Sequence, residues 1–122
     1  MSTFSAKGTV SNLTDPARRE TAELLVDAGA VYRMLPRSLL ISLGITPRSR
    51  RQFQLGDGSR VVWEFGDAVF IVDRYQAPSP VIFGEENCPR LLGAVTLEAM
   101  GVGVDPVIRK LIPIEGLLAS PH

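Results

Sequence analysis

Leu24-Leu25-Val26-Asp27-Ala28-Gly29-Ala30 is the stretch from which the fold is read. Leu24, Leu25 and Val26 are the dense apolar end of a strand expected over residues 21–26. That strand delivers a single carboxylate into a turn of small residues. A desolvated carboxylate is costly without partners, so an ionisable group carried by an apolar strand needs a reason to be there. Gly29 and its alanine neighbours keep side-chain bulk low, which lets another backbone approach closely. Taken alone, Asp-x-Gly after a strand is also an ordinary turn whose carboxylate caps nearby backbone N–H groups. What surrounds the stretch has to decide between the two.

Upstream, residues 7–13 are expected to form a strand with Val10 and Leu13 as apolar positions. Thr14-Asp15-Pro16-Ala17-Arg18 then supplies turn chemistry, so the two strands make a hairpin with a polar tip. Downstream, residues 31–35 resume an extended course. Pro36 opens a short helix with Leu39, Leu40 and Leu43 on one face, and Gly44 ends it. Residues 51–55 form the next strand, Gly56-Asp57-Gly58 is a hairpin turn, and residues 60–65 are the return arm. Gly66-Asp67 is expected to interrupt that arm before a strand over 68–72. Ala77-Pro78-Ser79-Pro80 is expected to be a turn leading into a short central strand over 81–83. After a loop at 84–89, Leu91-Leu92-Gly93 leads into a helix over 94–100 closed by Gly101. Strands at 102–105 and 110–114 flank a turn at Asp105-Pro106. Short strands, frequent Gly and Pro and two short helices predict a mainly β fold, a small closed barrel with two short helices.

Composition excludes several function classes. The 122 residues are one domain's worth, 1–122 with a core over about 7–118, and at 45% hydrophobic they can pack a core. Thirteen basic residues balance thirteen acidic ones, leaving no net field to attract nucleic acid or an anionic membrane. Arg48, Arg50 and Arg51 cluster, as do Arg18 and Arg19, in the manner of solvated faces. Cys88 is the only cysteine and His122 the only histidine. Neither a Cys-His pair nor a Ser-His-Asp triad is supplied, no metal site is expected, and no cofactor is called for. Gly101-Val102-Gly103 lacks the strand–turn–helix context of a dinucleotide fingerprint. Trp63, with Val61 and Phe65 at strand spacing, is a core or interface residue. No opening segment has a signal-peptide pattern and no apolar run approaches the length of a membrane span, so a cytoplasmic protein is expected.

The sequence resembles the retroviral-type, or retropepsin-like, aspartic proteases, in the manner of a bacterial single-domain member. Asp27-Ala28-Gly29-Ala30 resembles the family's active-site loop, an Asp-Thr/Ser-Gly motif after an apolar strand. The segment 31–36 resembles the strand leaving that loop. Leu55-Gly56-Asp57-Gly58 resembles the tip of the flap hairpin that covers substrate. Leu92-Gly93, with Leu91 before it and a helix after it, resembles the family's apolar-apolar-Gly motif. Each motif is short, and their joint order is what carries the likeness. The resemblance implies an aspartic endopeptidase acting on a peptide or protein substrate as a homodimer, with one Asp27 per chain. Two carboxylates about 3 Å apart share a proton, one acting as general base on a water while the other polarises the scissile carbonyl.

Ala28 departs from the pattern. In the family a hydroxyl at this position hydrogen-bonds across the dimer axis, and here it is missing from both chains. Two neutral hydrogen bonds correspond to about 1–3 kcal/mol of dimer stability. The alternative implied is a weak or inactive module that binds peptides or dimerises without cleaving. A small structural barrel with an incidental Asp turn is a third possibility.

Overall fold

The computed structural model describes residues 3–27, 29, 33–105 and 107–114. Strands β1 (Thr3–Ser11) and β2 (Arg19–Asp27) form an antiparallel hairpin in which Thr3 faces Asp27 and Ser11 faces Arg19. The polar tip is held by Asn12, whose Oδ1 accepts the N–H groups of Thr14 and Asp15. Strand β1 begins four residues before the expected start at Lys7. Phe4, Ala6, Gly8 and Val10 alternate along its inner face, and small residues at two of those positions thin the apolar signal. Leu24 and Val26 are fully buried, while Leu25 between them is half-buried, as alternation on a strand requires.

Strand β3 (Met34–Pro36) leads into helix α1 (Arg37–Ser42), with Pro36 at the N-cap. Leu39, Leu40 and Leu43 are buried as expected, and Gly44 ends the helix at φ +76°. Then follow β4 (Ser49–Gln54), β5 (Arg60–Val72), β6 (Tyr75–Gly84), β7 (Leu91–Leu92), α2 (Ala94–Ala99), β8 (Val102–Asp105) and β9 (Lys110–Pro113). Asp105 initiates the β8–β9 turn by accepting the N–H of Val107 (2.9 Å), and Pro106 lies outside the described residues.

Seven strands make one sheet in the order β3-β6-β5-β1-β2-β7, with β4 added along the first half of β5. β3–β6 and β2–β7 are parallel pairs, and the others are antiparallel. β8 and β9 form a separate two-stranded sheet. The described residues are thus mainly β with two short helices, but among them no sheet closes as a barrel. The strands at the two ends of the order, β3 and β7, have three and two residues and no ladder between them.

Two expected breaks are continuous strand. Gly66-Asp67 sits inside β5, opposite Val81 and Pro80 of β6. β5 changes its other partner there, from β4 up to Phe65 to β1 from Val69 onward. A Cβ on Gly66 would lie 3.0 Å from both a Phe83 ring carbon and the Thr46 carbonyl oxygen, so this glycine permits close approach instead of ending the strand. Pro78 and Pro80 likewise sit within β6. Ile82 donates its N–H to the Arg33 carbonyl, away from β5, and the two prolines share its parity. Their missing N–H groups therefore fall on the outer edge and cost no bond to β5. The reversal occurs earlier, at Asp73-Arg74, with Asp73 at φ +54°.

The core lies under the inner faces of β1, β2, β5 and β6, where Val10, Leu24, Phe70 and Val81 are fully buried together with Leu35 and Leu40. No helix among the described residues is long and apolar enough to cross a membrane.

Candidate active site

Asp27 is the last residue of β2, half-buried at the point where the strand's apolar face ends. Its Oδ1 accepts the Gly29 N–H at 2.9 Å. A carboxylate bonding the N–H two residues on is the local turn geometry of aspartate, and it holds the side chain against the Gly29 backbone. Both readings of Asp-x-Gly share this bond. Ala28 and Ala30, the other expected loop residues, lie outside the described residues, as do Val31 and Tyr32.

The structure brings one distant segment to this strand. β7 pairs in parallel with β2, Leu91 opposite Leu25 and Leu92 opposite Val26, and the Leu25 N–H donates to the Arg90 carbonyl at 2.7 Å. Leu92 is fully buried. Gly93 follows as the extended N-cap of α2, and its carbonyl accepts the Leu97 N–H. The apolar-apolar-Gly motif therefore flanks the strand that ends in Asp27.

Leu55, Gly56, Asp57 and Gly58 form the exposed tip of the β4–β5 hairpin. Leu55 donates its N–H to the Ser59 carbonyl and Gly58 its N–H to the Leu55 carbonyl. Gly58 takes φ +89°, a conformation that side chains other than glycine's rarely adopt. Asp57 Oδ1 accepts both the hydroxyl and the N–H of Ser59, and these bonds, the hydroxyl's first, hold its carboxyl below the usual range. Nearer the hairpin base, Phe53 packs on Trp63 with ring centroids 4.8 Å apart. Among the described residues no hydrogen bond or ion pair joins the hairpin tip to Asp27.

Sequence reasoning missed a cleft of about 560 Å³ between this hairpin and the loop at 84–89. Val61, Val62 and Trp63 of β5 form one wall, Glu85, Asn87 and Cys88 another, and Met34 and Phe83 line it too. Asp27 is not among the lining residues. Glu86 ties the loop to α1 by accepting the hydroxyl and the N–H of Ser38, and those bonds hold its carboxyl below the usual range. Burial pushes the Cys88 thiol up, which keeps it protonated and poorly nucleophilic at neutral pH. Only the hint of a loop before Leu91 could have pointed to this wall.

Arg33 was also missed. It is 1% exposed, with its guanidinium 3.7 Å over the centre of the Phe70 ring. Nη2 donates to Thr96 Oγ1 at 2.9 Å, and the Thr96 and Ser79 hydroxyls lie 2.7 Å apart. Nε and Nη1 have no hydrogen-bond partner among the described residues. Desolvation pushes this guanidinium down to about 9, which still leaves it a cation at neutral pH. Its backbone carbonyl accepts the Ile82 N–H. Arg33 is thus tied through its backbone to β6 and through its side chain to α2.

Among the described residues no group of three His, Cys, Asp or Glu side chains could hold a metal ion. No protein-family model matches this chain, and no curated protein is significantly similar to it.

Proposed function

We propose that the chain is an aspartic endopeptidase that works as a homodimer, each copy contributing Asp27. The observation that carries this reading is the parallel pairing of Leu91–Leu92 with Leu25–Val26, which sets the apolar-Gly motif beside the strand ending in the aspartate. The glycine-tipped β4–β5 hairpin adds support, since a substrate cover needs a mobile end of low bulk on a firm base. In the dimer the two Asp27 carboxylates share a proton. The ionised one draws a proton from a water, the water oxygen attacks the peptide carbonyl carbon, and the protonated one donates to the carbonyl oxygen. The substrate lies extended, pairing its backbone as an added strand, with a side chain in the cleft between Trp63 and Cys88.

The test is cleavage of a peptide library between pH 4 and 7 over a range of protein concentrations. Specific activity should rise with concentration as dimers form, and a statine-type mimic of the tetrahedral state should inhibit it. Asp27→Asn should abolish cleavage and leave the circular dichroism spectrum unchanged. Turnover retained by Asp27→Asn would remove the assignment.

Ala28 favours a second reading, a retropepsin-like module that binds extended peptides without hydrolysing them. It predicts that the same library yields tight binders and no products.

A further inference from the structure

On the side of β1 away from β2, the described strands leave part of the edge uncovered. Asn12, just past the strand, donates its N–H across the hairpin to the Arg18 carbonyl at 2.9 Å. The residues of β1 that alternate with it, Ser11, Thr9, Lys7 and Ser5, therefore turn their backbone polar groups away from β2. Ser11 and Thr9 meet β5 there, opposite Val69 and Ile71, but the ladder stops at Gly8 opposite Val72. Among the described residues no strand runs beside Ser5 on this side.

A cleft of about 480 Å³ occupies that position, walled by residues 4–6 of β1, 73–75 of the β5–β6 turn and 109–111 at the start of β9. Arg74, Arg109 and Lys110 line it against a single carboxylate, Asp73. All four are exposed, and none of the three cations belongs to an ion pair among the described residues. Arg74 lies over the Tyr75 ring, 5.3 Å from its centre, with Nη2 3.4 Å from the phenol oxygen.

We infer that this edge of β1 docks an extended acidic segment of another protein, which adds to the sheet as a strand. An unpaired edge supplies main-chain hydrogen bonds to any extended backbone, and the excess of cations selects the sign of its side chains. Because side chains alternate along a strand, acidic residues at every second position reach the cations together. Nucleic acid would satisfy the cations but leave the strand edge unpaired. The site is independent of the Asp27 assignment, because β2 lies on the other side of β1.

The test titrates the full chain into fluorescein-labelled octapeptides and reads fluorescence anisotropy. An alternating Glu-Val peptide should bind, more weakly as salt rises. An alternating Lys-Val peptide and a Glu-Val peptide N-methylated at alternate nitrogens should not. The combined variant Arg74→Glu, Arg109→Glu, Lys110→Glu should weaken binding about ten- to a hundredfold with an unchanged dichroism spectrum. Hydrogen exchange at the Ser5 amide should slow on binding. Asp27→Asn should leave the affinity unchanged, so loss of protease activity and loss of docking are separable. The proposal fails if no Glu-Val peptide binds at millimolar concentration, or if N-methylation has no effect. It also fails if oligothymidylate binds as tightly as the peptide. A charge-reversed variant that changes sedimentation and not peptide affinity would make the face a contact between copies, and would equally overturn it.

Discussion

Asp27 and Arg33 lie six residues apart, and each is held by a different kind of bonding. Asp27 is fixed by the β1–β2 ladder and by a local bond from Gly29, so its position follows from a short run of consecutive residues and was legible in them. Arg33 was not legible, because nothing in Tyr-Arg-Met says which of the three turns inward. Its burial depends on Phe70, Ser79 and Thr96, which lie far along the chain. A buried cation with two donors unpartnered among the described residues is destabilising compared with an apolar side chain of similar size. Arg33→Met should therefore stabilise the fold by about 1–4 kcal/mol at pH 7, measured by urea unfolding. The sign with pH is fixed by the lowered guanidinium value of about 9. Below pH 9 the folded chain carries the full desolvation penalty. As pH rises past about 9 the folded chain loses that proton before the unfolded chain does, so the penalty fades. The advantage of Arg33→Met should be full at neutral pH and shrink above pH 9. A lower denaturation midpoint for Arg33→Met at pH 7 would show that the orphaned donors are not the dominant cost.

Hairpins and helices were the elements best read from local signals. Gly44, Gly58 and Gly101 all take positive φ at the ends where turn chemistry put them, and the apolar spacing of Leu39, Leu40 and Leu43 matches the buried side of α1. Gly66, Pro78 and Pro80 misled for a common reason. The same residue types that break an isolated strand are tolerated where a neighbour needs room or where an edge needs no donor, and a neighbour is not visible along the chain. At Gly66 the neighbours are the Thr46 carbonyl, which is backbone and cannot step aside cheaply, and the Phe83 ring, both 3.0 Å from where an added Cβ would sit. Gly66→Ala should accordingly destabilise the protein by about 1–3 kcal/mol through overpacking. Equilibrium denaturation checks this, and under the proposed endopeptidase reading a fall in cleavage should accompany it, because Phe83 also lines the cleft beside Trp63. A neutral or stabilising result would mean that Gly66 serves as a flexible break in the strand after all.

For the molecule as a whole, β content and the two helices were legible, and closure was not. Closing a barrel depends on how many residues the end strands commit to pairing, and β3 and β7 commit three and two. Such lengths are set by where partners stop, not by the composition of the strands themselves. The site has the same property. One chain supplies one Asp27, so the proposed chemistry requires the proposed dimer, and Ala28 is the sequence position that tests it. Ala28→Thr should restore a hydroxyl in each copy, adding about 1–3 kcal/mol and tightening the dimer by one to two powers of ten. Sedimentation over a dilution series measures that shift, and cleavage assayed on the same samples separates the readings. If the dimer tightens and cleavage rises with the dimer fraction, the natural chain is an enzyme limited by its own association. If the dimer tightens and no peptide is cut at any concentration, the hydroxyl was not what hydrolysis lacked, and the peptide-binding module is the better description. If association does not change, the loops do not meet across an axis, and a mechanism built on two Asp27 carboxylates has no place to operate.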